Sequence, residues 1–151
     1  MKIYEEGQKC DFALIQLDEP VPHERFLQLG VCEKLVGKEV LALGREVRRL
    51  SETEREVFHK VHAGPVKEET EDAFMIDVDF SPSQTGSPIL YNDEGEWRVC
   101  ALAKSYHKSG SQLNMGVKIT HGLMNLVEEC AKEMYVPYTP NRDPYYEKQL
   151  D

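Results

Sequence analysis

The chain has 151 residues, 40% of them hydrophobic, and a formal net charge of -9 from 18 Lys and Arg against 27 Asp and Glu. That length suits one domain, with a short appendage at most, and allows a core of its own. The acidic balance disfavours a surface for nucleic acid or an anionic membrane, since phosphate binding needs clustered Lys and Arg.

Short strands recur between turn signals. A compact apolar run over 10–17 sets Phe12, Leu14 and Gln16 on one side and Ala13, Ile15 and Leu17 on the other. Apolar residues on both sides predict burial on both sides. Glu19-Pro20-Val21-Pro22 ends the run, because proline cannot donate to a ladder. A second strand is predicted over 39–43, closed by Gly44. Arg45, Arg48 and Arg49 follow, then Glu52, Glu54 and Glu56, a mixture that reads as a solvated loop. A third strand is predicted over 56–61, with Gly64-Pro65 as its punctuation. The fourth, over 73–79, alternates cleanly: Phe74, Ile76 and Val78 inward, Met75, Asp77 and Asp79 outward.

Two more strands, over 88–91 and 97–103, flank Asn92-Asp93-Glu94-Gly95 and read as a hairpin. The last strand is predicted over 113–119. A helix follows, with Thr120 as its N-cap and Leu123, Leu126, Val127, Cys130 and Met134 as one apolar stripe. Pro137 and Pro140 stop it, and the remainder to Asp151 carries no period. Regularly spaced strands with one terminal helix predict an all-β Greek-key barrel. The start of the chain lacks the apolar core of a leader, no run reaches the length of a membrane span, and Cys10, Cys32, Cys100 and Cys130 lack paired spacing. These features predict reduced thiols and a cytoplasmic or nuclear location.

Gln84-Thr85-Gly86-Ser87-Pro88, with Ile89-Leu90-Tyr91 behind it, resembles the nucleophile loop of trypsin-like serine peptidases. Asp11-Phe12-Ala13-Leu14-Ile15-Gln16-Leu17 is similar to that family's Asp-x-Ala-Leu-hydrophobic-x-Leu segment, which carries the catalytic aspartate. Gly37-Lys38-Glu39-Val40-Leu41-Ala42-Leu43-Gly44 resembles the opening strand of the family's second barrel, and Gly116-Val117-Lys118-Ile119 its last strand before the closing helix. The Gly86-Ser87-Pro88 variant and the lack of paired cysteine spacing resemble the V8-like and intracellular branches more than the secreted digestive enzymes. The resemblance implies a chymotrypsin-like fold, mainly its C-terminal barrel. It divides the chain into a first-barrel remnant (1–20), an inter-barrel linker (21–36), the barrel and helix (37–134) and an extended tail (135–151).

Peptide hydrolysis on that plan needs a hydroxyl nucleophile, an imidazole beside it, a carboxylate to orient the imidazole, and N–H donors for the oxyanion. The resemblance implies Asp11 as the carboxylate, Thr85 in the nucleophile slot, and the N–H groups of Ser83 and Thr85 as the oxyanion hole. Two of these depart from the pattern. Thr85 stands where the family has Ser, and its methyl restricts χ1 and crowds an approaching carbonyl carbon. Ser83 stands where the family has Gly, which puts the oxyanion hole in doubt. The family's histidine precedes the aspartate, yet only ten residues precede Asp11 and none is His. His23, His59, His62, His107 and His121 all follow it. His59 and His62 face opposite sides of a predicted strand, so neither metal nor cofactor is expected.

For substrate binding the resemblance points to Asp79, before the nucleophile slot, and to Ala103, Lys104 and Ser105 on one wall. Asp79 would select basic side chains; Lys104 and His107 would suit acidic ones, so no specificity follows. The leading expectation is a degenerate, inactive trypsin-like domain that binds a peptide or protein. The alternatives are the C-terminal half of an active endopeptidase and an unrelated β-barrel interaction domain. If the first barrel is absent, the strand after Asp11 lacks neighbours. The chain is then expected to engage a partner, to self-associate through that strand, or to fold it onto the barrel.

Overall fold

The computed structural model describes residues 2–5, 12–17, 26–80, 84–104 and 113–134. Nine strands and one helix occur among them: β1 (Lys2–Glu5), β2 (Ala13–Gln16), β3 (Gln28–Leu29), β4 (Glu39–Arg49), β5 (Arg55–Glu69), β6 (Ala73–Ile76), β7 (Pro88–Asp93), β8 (Glu96–Lys104), β9 (Asn114–Lys118) and α1 (His121–Met134). The six strands β4 to β9 close into a ring of order β4-β5-β6-β9-β8-β7, each neighbour antiparallel. Three strands in succession, then a jump to β9 and a return through β8 and β7, make a Greek key. The all-β barrel with a C-terminal helix predicted from the strand spacing is thus the observed architecture.

Alternation along β4 and β7 separates two apolar layers. Val40, Ala42 and Ile89 point into the barrel, where Val66, Phe74, Ile76 and Ala101 join them. Leu41, Leu43 and Leu90 point outward, under Leu123, Met124 and Val127 of α1. Both faces of these strands are therefore apolar for different reasons, one filling the ring and one seating the helix. Thr120 caps that helix as predicted, its Oγ1 accepting the Leu123 N–H at 3.2 Å. The hairpin between β7 and β8 is also as predicted. Glu94 and Gly95 both have positive φ, 52° and 98°, as a two-residue primed turn demands.

Segment 28–36 belongs to the barrel's packing. β3 runs parallel to Arg98 and Val99 of β8, and Cys32 and Leu35 enter the core. Lys34 adopts a left-handed φ of 59°. The Glu69 carboxylate fixes this bend, accepting the Lys34 N–H at 3.1 Å and the Leu35 N–H at 2.9 Å. Lys118 donates to the same carboxylate at 2.9 Å and to the Thr70 carbonyl at 3.2 Å, with its ammonium over the Phe74 ring.

Several expectations need correction. The strand predicted to close at Gly44 continues to Arg49, and the strand predicted over 56–61 runs from Arg55 through Gly64-Pro65 to Glu69. Arg45, Arg48 and Arg49 are therefore strand residues, exposed but not in a loop. Met75, expected to face solvent, is buried like its neighbours. The run at β2 is not buried on both faces. Phe12 packs on the α1-facing layer, but Ala13, Ile15 and Leu17 are exposed, and among the described residues β2 pairs only with β1. Asp79 also lies beyond β6, which ends at Ile76.

Cys32, Cys100 and Cys130 are buried free thiols. Burial, with a further contribution from Cys32, pushes the Cys100 thiol up to about 12. Against an ordinary value of 9.0, this leaves about a thousandfold less thiolate at pH 8. Iodoacetamide at pH 8 should accordingly modify Cys100 at least about a thousandfold more slowly in the native protein than in urea. Peptide mapping measures the ratio, and comparable rates would contradict the buried placement.

Candidate functional site

The site that the sequence singles out is the turn over 84–87, which enters β7. Its geometry starts at Gln84, whose carbonyl accepts the Ser87 N–H at 2.9 Å and closes a tight turn. Gly86 occupies the third position with φ of 86°, a conformation that a side chain disfavours. Gly86 N–H donates to the Ala103 carbonyl at 2.7 Å, and Ala103 N–H donates to the Ser87 carbonyl at 2.8 Å. The turn is thereby stitched to the end of β8 by two main-chain bonds.

Gln84 anchors the turn from below. It is only 2% exposed, and its side chain lies over Gly44 of β4. A Cβ on residue 44 would stand 2.0 Å from Gln84 Nε2. Gly44 therefore does not end its strand; it leaves room for Gln84. Glycine within an otherwise continuous strand pattern is the available signal for such an approach, and it is what a reading of Gly44 as a terminator misses. On the other side, buried Asn114 donates from Nδ2 to the Val78 carbonyl at 2.6 Å. That bond fixes the segment leading from β6 toward the turn, with Val78 and Phe80 in the core.

Of the residues implicated by the resemblance, the structure brings Thr85, Ala103 and Lys104 to one end of the barrel. Thr85 is exposed at the second position of the turn, Ala103 is buried, and Lys104 is half-buried at the end of β8. Asp79 is exposed between buried Val78 and Phe80. Asp11, Ser83 and Ser105 lie outside the described residues, as do His23 and His107. The described histidines sit elsewhere: His59 and His62 on β5, and His121 at the start of α1. In the sheet, β4 separates β5 from β7.

Chemically, the turn offers a hydroxyl at its apex. The N–H groups of Gly86 and Ser87 are both taken by carbonyls of the fold. Among the described residues no three of His, Cys, Asp and Glu gather where they could hold a metal ion, and no helix is long and apolar enough to cross a membrane. Comparison with protein-family models and with curated proteins finds no match for this chain.

Proposed function

We propose that this chain is a degenerate relative of the trypsin-like peptidases, inactive in hydrolysis, that binds a peptide or protein. The Greek-key ring with its closing helix, and the entry of the Gln84-Thr85-Gly86-Ser87-Pro88 loop into β7, support the family reading. The single observation that carries the loss of activity is the turn itself. A β-branched hydroxyl occupies the nucleophile place at the exposed apex of the turn, where the family has Ser. Its methyl would crowd the approach of a carbonyl carbon, where small misplacements cost orders of magnitude in rate. The bare side of β2, with Ile15 55% and Leu17 58% exposed, offers a partner an apolar strip.

Incubation with a fluorophosphonate probe, followed by peptide mass mapping, tests the inactive reading. Thr85 should remain unmodified, and the purified chain should leave casein intact. A phosphonylated Thr85, or casein cleavage that the probe abolishes, would establish an active peptidase instead.

A further inference from the structure

The structure holds a second surface, away from the Gln84 turn, whose charge pattern the family reading does not use. β4 and β5 pair from Glu39↔Pro65 to Arg49↔Arg55. β7 reaches β4 only at Leu41 and Ala42, and β6 reaches β5 only from Val66 onward. From Gly44↔Lys60 outward the two strands therefore form a ribbon with no further strand beside it among the described residues. Two-stranded ribbons are marginal alone in water, so their side chains need a reason to stay apolar or charged in one place.

The two faces of this arm differ. On one, the rungs are Gly44↔Lys60, Glu46↔Phe58 and Arg48↔Glu56. That face is neutralised internally, by the Lys60–Glu46 salt bridge and by Arg48 opposite Glu56. On the other, the rungs are Arg45↔His59, Val47↔Val57 and Arg49↔Arg55, continued toward the barrel by Val61. All of these side chains are exposed, and no acid lies among them. Among the described residues no carboxylate pairs with Arg45, Arg49 or Arg55. Like charges directly opposite each other destabilise a strand pair. Arg49 against Arg55 is therefore a cost that the neighbouring face avoids.

We infer that this face docks an extended acidic segment of a partner protein. Its carboxylates would meet Arg45, Arg49 and Arg55, and its alternate apolar side chains would rest on Val47, Val57 and Val61. Bidentate carboxylate pairing suits arginine, and a period-two segment matches the spacing of the rungs. The occupant is a protein segment and not a nucleic acid for two reasons. The three valines give a phosphate backbone nothing to bind. A polyanion longer than the patch would also run over Glu52 and Glu54 at the tip and over a body of net charge -9.

Fluorescence anisotropy of the full chain with a short labelled peptide alternating Glu and Val tests this. The peptide should bind, and binding should weaken as salt rises. Arg55→Glu turns the like-charge rung into an opposite-charge one, so its thermal midpoint should hold or rise while affinity falls about tenfold or more. Arg45→Glu, on a separate rung, should act in the same direction. Lys38→Glu, the same charge change on the barrel, should leave affinity alone. The inference is overturned by failure of the acidic peptide to bind or by equal binding of a Lys-Val peptide. Retained affinity in both arginine variants, or tighter binding of a single-stranded oligonucleotide of equal charge, would overturn it too.

Discussion

Glu69→Gln should lower the unfolding free energy by about 1.5–3 kcal/mol, the range for a hydrogen bond to a charged group in a part-buried setting. Three donors converge on this carboxylate: the N–H groups of Lys34 and Leu35, and the ammonium of Lys118. An amide has one acceptor oxygen, so its NH2 group must face at least one of those donors. The Lys118 side chain is 7% exposed, so its charge would stay buried beside a neutral amide, the Thr70 carbonyl and the Phe74 ring, paired with no opposite charge among the described residues. The change would also release the left-handed bend at Lys34 that places Leu35 in the core.

The effect should depend on pH in a defined sense. Burial alone would raise the Glu69 pKa, but the Lys118 hydrogen bond, the Leu35 and Lys34 N–H bonds and the Lys118 charge together hold it below its ordinary value of 4.5. A carboxyl depressed in the folded state contributes fully above its unfolded pKa, and the contribution fades as pH falls through the folded one. Urea unfolding at neutral pH should therefore separate the native protein from Glu69→Gln widely. The gap should narrow once pH drops below the usual glutamate range. A gap constant across that range would mean that the carboxylate is not ionised in the fold.

Gly64→Ala should cost about 3 kcal/mol, at the upper end for a single added methyl. An ideal Cβ there would lie 2.1 Å from the Asp77 carbonyl oxygen and 2.7 Å from Val78 Cγ2. The first obstacle is main chain, so no rotamer change relieves it. Asp77 N–H donates to the Pro65 carbonyl at 3.1 Å, and separating the two strands would stretch that bond. Val78, behind it, is held by Asn114, so the strain would spread toward the start of the Gln84 turn. Urea unfolding reads the loss. A neutral result would show that β5 and the chain after β6 do not approach this closely.

Some of these elements were legible because their periods are strong. The alternation of Phe74, Ile76 and Val78 marks an inward face without help from other strands. Thr120 followed by an apolar stripe marks a helix start, and Asn92 to Gly95 a hairpin. The extension of β4 and β5 was not legible, because Gly44 and Gly64 look like stops. Each is instead a place where a distant part of the chain comes close: Gln84 over one and Asp77 over the other. Sequence neighbours do not name the distant partner; the glycine inside a strand pattern is the trace that either approach leaves. Once Gly44 is read as an end, Arg45 to Arg49 become a loop and the charge segregation between the faces of the arm disappears. The burial predicted for both sides of the 10–17 run failed for a related reason. Apolar content shows what a strand can cover, not how many neighbours the topology supplies.

At the site, the motif located the turn that meets Ala103 but not the buried glutamine beneath it. Gln84 looks like an ordinary polar loop residue until Gly44 is placed under its side chain.

Closure of the ring by β8 and β9 has a consequence for how copies of this chain could entangle. Every barrel strand already has a companion on its left and right, so no growing fibril can be templated at the barrel's waist. Among the described residues, recruitment of a foreign strand is confined to what stands outside the circle: the arm, the short β3 and the N-terminal pair. The basic residues crowded along the arm would then act as gatekeepers, repelling an identical chain that tried to align there.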